Sequence, residues 1–287
     1  MPTDIMVGDV KLIDVSKPFD LTLPMNMLVW GKFGCGKTTL LSTAVKPILV
    51  LQFDITSHIA LAGVEGCYVY DLSNHEPSVC SDMMFQDNPL RLHNTLRENG
   101  IRTLVFDSLT TYYHLALRYV VGKLRTATNS ITMETPSQAG YAQRNSVMRE
   151  TFTAIMGLTG RLKIDTLLTL HEDTPHTVQR PIQGQPGKTM EVQADITPAM
   201  AMSALNTIGI RMSEVWHMKR LADGTRWLSV RETPGYTPMK TRMFDAEPPA
   251  PAEFQFRYDA RTQKGDGIAS WIDAWRKGGG RKIALPR

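Results

Sequence analysis

A chain of 287 residues with 42% hydrophobic and 21% charged side chains can fold as one large α/β domain or two smaller ones, and this composition excludes a collagen-like, fibrous or wholly disordered protein. The longest apolar run, residues 48–51, falls far short of the roughly 20 residues of a membrane helix, and Asp4, Asp9 and Asp14 stand where a secretory leader would be basic and then apolar, so a cytoplasmic location is expected. The net charge is +4, and residues 251–287, with eight Lys/Arg against four Asp/Glu, hold the whole excess, a tail that suits either nucleic acid or plain solvation.

Short apolar stretches alternate with helical patterns, which predicts a parallel sheet with crossover helices. In chain order the expected elements are a strand at 25–30, a helix at 37–45, and strands at 48–54 and 67–72. A helix capped by Asn88 follows, opening at Pro89 and stopping at Gly100, and then a buried strand at 101–107. Helices at 109–124 and from Ser137 lead to a strand at 164–170 and to a long polar loop, 172–196. Thr197 and Pro198 then open a short helix, and strands at 213–219 and 226–231 flank the hairpin turn Asp223-Gly224. Pro248, Pro249 and Pro251 read as a linker, after which Ile268, Trp271, Ile272 and Trp275 form one helix face ended by Gly278. This divides the chain into a lead-in at 1–24, a core at 25–247, and a linker, helix and basic tail at 248–287. Cys35, Cys67 and Cys80 have no paired metal-site spacing, which fits a reducing compartment.

Residues 31–38 read Gly-Lys-Phe-Gly-Cys-Gly-Lys-Thr, the full phosphate-loop pattern set between a predicted strand and a predicted helix. Gly31, Gly34 and Gly36 let the backbone curl so that its N–H groups face phosphate, with Lys32, Phe33 and Cys35 between them, and the helix N-terminus adds its positive dipole. Lys37 would reach the β- and γ-phosphates of ATP, Thr38 would hold Mg²⁺, and Thr39 would lie near the α-phosphate. Cys35 is either a thiol activated by the helix N-terminus or a small side chain that fits. The second metal-side carboxylate is expected at the end of a neighbouring strand, and Asp107 supplies it, with Asp54 as a rival for that role.

The phosphate loop, the Leu-Val-Phe-Asp-Ser segment at 104–108 and Thr-Leu-Leu-Thr-Leu-His-Glu at 166–172 together resemble a RecA-like ATPase core. Within that superfamily the chain is most similar, over about residues 25–240, to phage NTP-binding proteins of AAA type that include single-strand annealing recombinases. The resemblance implies an α/β RecA-like P-loop NTPase core, a mostly parallel central sheet with flanking helices and a terminal β-hairpin. It implies two DNA loops, at 122–140 and 173–194, in or beside which Lys123, Arg125, Arg144, Arg180 and Lys188 could neutralise phosphates of single-stranded DNA, with Tyr141 available for stacking. It implies a γ-phosphate sensor at His171 or Glu172, and at Arg231 a hairpin cation that reaches the ATP of a neighbouring subunit in a ring or filament. A single-strand-binding protein or a helicase is a further partner it allows. One departure stands out: where that superfamily places a water-positioning glutamate this chain reads Asp54-Ile55-Thr56, so Asp54 or Glu172 would have to act, or hydrolysis would be slow. Besides an ATP-dependent DNA-binding protein, the same residues admit a non-hydrolysing nucleotide-switch adaptor or loader and a small-molecule kinase.

Overall fold

The computed structural model describes residues 6–7, 10–11, 23–55, 57–75, 89–125, 137–175, 177–181, 189–233 and 235–286. Strands β1 (Met6–Val7) and β2 (Val10–Lys11) pair with each other near the N-terminus. The main sheet contains β3 (Asn26–Gly31), β4 (Ile48–Gln52), β5 (Cys67–Asp71), β6 (Thr103–Asp107) and β7 (Asp165–His171). A hairpin of β8 (Thr177–Pro181) and β9 (Thr189–Gln193) follows, and β10 (Glu214–Arg220), β11 (Arg226–Ser229) and β12 (Glu253–Phe256) complete the sheet. A small pair, β13 (Tyr258–Asp259) and β14 (Lys264–Gly265), comes last. The helices are α1 (Lys37–Leu41), α2 (Pro89–Glu98), α3 (Leu109–Arg125), α4 (Gln138–Leu162), α5 (Met202–Gly209) and α6 (Ile268–Lys277).

The eight-stranded sheet runs β12-β11-β10-β3-β7-β6-β4-β5, parallel from β10 to β5 and antiparallel at β10, β11 and β12. This is the expected mostly parallel central α/β sheet with flanking helices and a terminal hairpin, β10–β11. The hairpin turns at Asp223, whose carboxylate accepts from the Thr225 N–H and hydroxyl, with Gly224 at φ 85°. The central strands β4 and β6 are buried along their whole length, as parallel strands covered on both faces must be. Alternation within β3 divides the core: Leu28 and Trp30 pack with residues of α2, α3, α4 and α5, while Met27 and Val29 pack with α1 and α6. The helix expected from Ser137 is α4, and Ser137 is its cap, accepting from the Gly140 N–H.

Three expectations change. The loop at 172–196 is not free of secondary structure, because Thr177–Pro181 and Thr189–Gln193 pair as antiparallel strands. The helix expected at Thr197 begins at Met202, since 197–199 is occupied in holding the end of β7: the Asp173 N–H bonds the Thr197 carbonyl and the Ala199 N–H bonds that of His171. Residues 248–287 are not a separate tail. β12 extends the main sheet, and Phe254, Phe256, Phe244 and Trp216 surround Trp271 with ring centroids 5.5–6.2 Å apart. The α6 face that contains Trp271 therefore belongs to the core. Asn88, Thr56, Cys80 and Lys188 lie outside the described residues, as do the side chains of Lys123, Arg125 and Arg180.

Candidate nucleotide-binding site

Parallel strands end together, so the carboxyl ends of β3, β7, β6 and β4 bring Gly31, His171, Asp107 and Gln52 to one edge. From β3 the chain turns through residues 31–36 into α1, with Gly34 at φ 73° and Gly36 at φ 109°, values that glycine adopts without strain. Lys37 Nζ donates to the carbonyls of Gly31 at 2.8 Å and Lys32 at 3.0 Å, which folds it back under the loop.

Strand β7 lies between β3 and β6. The Thr38 hydroxyl nevertheless reaches across to Asp107 Oδ2 at 2.9 Å, and Thr169 of β7 donates to Asp107 Oδ1 at 2.7 Å. Thr38 and Asp107 are hard oxygen donors of the kind Mg²⁺ takes. Among the described residues no three His, Cys, Asp or Glu side chains cluster as a metal cage, so a divalent ion here would complete its shell with phosphate oxygens and water. That donor set fits nucleotide-bound Mg²⁺. The loop and both residues line a cleft of about 440 Å³, together with Thr39, Asp54, His171 and Arg226.

Asp54 is the most heavily bonded acid of the cleft. It accepts from Ser108 Oγ at 2.8 Å and from Thr111 Oγ1, and its Oδ2 lies 2.9 Å from His171 Nε2. Burial works to raise its pKa, but the hydrogen bonds from His171, Thr111 and Ser108 and the charge of His171 outweigh burial and hold the carboxyl below the ordinary aspartate value. The two carboxylates of the expected rivalry have different partners: Asp107 pairs with Thr38 of α1, and Asp54 with His171 at the end of β7.

His171 and Glu172, adjacent in sequence, face different cavities. Glu172 lines a second space of about 470 Å³ on the β10 side of the phosphate loop, where Phe33 and Gly34 form a wall common to both. Its Oε2 lies 3.1 Å from His217 Nε2, and both side chains are at most 4% exposed. Burial depresses the His217 pKa, so a neutral imidazole donates to the carboxylate, while Glu172 Oε1 has no partner among the described residues. The His217 ring lies between Trp30, tilted at 4.3 Å between centroids, and Tyr236, stacked at 4.5 Å.

Other candidates are placed elsewhere. Arg231 donates to the Ala250 carbonyl at 3.3 Å and is not among the cleft residues, whereas Arg226, five residues earlier on the same arm of the hairpin, is. Arg226 was missed because the Asp223-Gly224 turn makes it read as an ordinary solvated hairpin charge. The expectation for Arg144 is corrected: it is buried in α4 with its guanidinium 3.7 Å from the Tyr113 ring centroid, so it is not placed to meet phosphates. Tyr141 is exposed on the same helix. Cys35 is buried, and desolvation raises its pKa despite Lys37 nearby, which favours the small-side-chain reading over the activated thiol.

A phosphate loop after one strand, a carboxylate at the end of a strand two places away and a bonded polar group on the strand between them are the arrangement of a P-loop NTPase. The chain belongs to the AAA domain family, which it matches over residues 23–237. Among solved structures it is similar to a protein described as the RadB recombinase, with 14% identity over 83% of this chain and 90% of that one, at a TM-score of 0.42. No curated protein matches. Among the described residues no helix is long and apolar enough to cross a membrane.

Proposed function

We propose that the protein binds ATP with Mg²⁺ and uses the bound nucleotide to control its grip on single-stranded DNA, in recombination, annealing or replication of phage type. Gly31, Lys32, Phe33, Gly34, Cys35 and Gly36 form the loop around the phosphates, Lys37 neutralises the β- and γ-phosphates, and Thr38 and Asp107 hold the metal, which when bound stabilises charge on the leaving phosphate. The observation that carries the coupling is the end of β7. His171 bonds Asp54 inside the cleft, and six residues beyond His171 the same chain begins the β8 arm that contains Arg180. A change at the γ-phosphate end of the cleft would therefore bear on the segment that resembles a DNA loop, through His171 and its backbone contacts to 199. Lys123 and Arg125, at the end of α3, and Lys188, beside β9, would add charge along the strand. Arg231 would serve a neighbouring copy in a ring or filament.

A second reading, a nucleotide switch that hydrolyses slowly and loads or adapts a partner such as a helicase or single-strand-binding protein, is favoured by Asp54. A general base works best with a pKa near the working pH, and three donors hold Asp54 low and occupied. Glu172 keeps a free oxygen, but on the far side of the Phe33–Gly34 wall. ATP hydrolysis with Mg²⁺, measured without DNA, with single strands and with duplex, beside a Lys37→Ala control, separates the two. Stimulation by single strands that vanishes in the control supports the first reading. Tight ATP binding with no turnover under any of these conditions supports the second.

A further inference from the structure

We propose that Arg226 is a phosphate-binding residue of its own subunit's nucleotide site, gripping the α/β-phosphate end of the nucleotide. The inference rests on the nucleotide-binding reading above and adds a residue to it. Arg226 opens β11, and its backbone is fixed on both sides, opposite Arg220 of β10 and Phe256 of β12. From that anchored position the side chain crosses to the start of α1. A Cβ built on Gly36 would lie 2.7 Å from Arg226 Nε and 2.8 Å from its Cδ, so the guanidinium rests against the phosphate-loop backbone itself. Gly36 is thus required twice, by its φ of 109° and by the arginine lying on it.

The charge balance points to the ligand. Arg226 shares the cleft with Lys37 and with the phosphate-loop residues Gly34 and Gly36. Among the described residues Arg226 has no carboxylate partner, and the two acids of the cleft are engaged, Asp107 by Thr38 and Thr169, Asp54 by Ser108, Thr111 and His171. Two cations lining one space are relieved by a polyanion, and a planar guanidinium is suited to two phosphate oxygens at once. Its place against Gly36, at the start of α1 in the cleft that Thr38 and Thr39 also line, assigns it to the phosphates common to ATP and ADP. Arg226 therefore adds affinity for the nucleotide as such, without selecting the triphosphate.

The test is titration of the full chain with Mg·ATP and, separately, Mg·ADP, for the native protein, Arg226→Gln and Arg226→Lys, with thermal melts to confirm folding. Arg226→Gln is expected to weaken both nucleotides about ten-fold and by similar factors, the loss of about one charge-assisted contact. Arg226→Lys, which keeps the charge and loses the fork, is expected to weaken both several-fold, and it remains the test if the glutamine variant does not fold. Unchanged affinity for both nucleotides overturns the proposal, and so does a loss confined to ATP, which would place the arginine at the γ-phosphate. A native protein that binds neither nucleotide overturns the nucleotide reading itself, and Arg226 with it.

Discussion

Asp54 Oδ2 lies 2.9 Å from His171 Nε2, so the ends of β4 and β7 are tied together over β6, the strand between them that ends in Asp107. The tie closes one side of the nucleotide cleft and starts the chain toward the β8–β9 hairpin. His171→Ala removes it. Single-strand stimulation of ATP hydrolysis is then expected to fall about ten-fold or more, as for a lost charge-assisted bond in a site, while the same variant still melts as a folded protein. Stimulation equal to that of the native chain would show that the tie is not the route between nucleotide and DNA.

The same pair sets a pH dependence. Asp54 has a folded pKa below its ordinary value, so its bonds contribute stability that is fully present above about pH 4 and is lost as the pH falls through the folded value. Asp54→Asn is expected to flatten the stability profile between about pH 5 and pH 2, measured by urea unfolding at each pH. A profile parallel to that of the native chain would count against the tie.

Asp107→Asn keeps the shape of the metal-side residue and removes its charge. Affinity for Mg·ATP is expected to fall about ten-fold or more, while affinity for ATP in chelator changes little, because the carboxylate acts through the metal. Equal losses with and without Mg²⁺ would assign Asp107 a purely structural part.

Glu214 is buried at the start of β10, and all four of its neighbours are donors. The Arg242 and Met243 N–H groups bond Oε1 at 2.9 and 3.0 Å, and Trp216 Nε1 and the Thr241 hydroxyl bond Oε2 at 2.9 and 2.6 Å. An amide nitrogen on either side would oppose a donor. Glu214→Gln is expected to cost about 1–3 kcal/mol, read as a lower melting temperature.

Burial raises the Cys67 pKa to about 11 and raises that of Cys35 as well. Neither thiol is expected to react with iodoacetamide in the native protein at pH 8, and both are expected to react after denaturation. Rapid native alkylation at Cys35, followed by mass spectrometry, would restore the activated-thiol reading.

The parts of the fold legible in the sequence are those where a local pattern and the tertiary requirement coincide. The runs at 48–51 and 103–107 are buried on both faces, and 31–38 needs its glycines for a backbone reason, so both are visible without neighbours. β12 was hidden because Glu253–Phe256 is short and follows three prolines, and it becomes a strand only by pairing with β11. The hairpin at 177–193 is too polar to announce itself by burial. The site shows the same division. Lys37, Thr38 and Asp107 follow from spacing, whereas the presence of Arg226 in the cleft and of Arg231 outside it depends on which hairpin residue faces α1, a fact of sheet order and not of composition. The interior place of Arg144 depends on Tyr113, thirty-one residues upstream on another helix.

The C-terminal segment also meets the phosphate-loop helix. Thr43, two residues past α1, is fully engaged: its hydroxyl donates to the Leu40 carbonyl at 2.6 Å and accepts from the Ile268 N–H at 2.9 Å, its carbonyl accepts from the Ala269 N–H at 2.9 Å, and Gly267 packs directly on it. The helix that begins at Lys37 is therefore clamped at its far end by residues more than two hundred positions later. The short helix that carries Lys37 and Thr38 sits between the phosphate loop on one side and the C-terminal segment on the other, and the last helix of the chain buttresses the first.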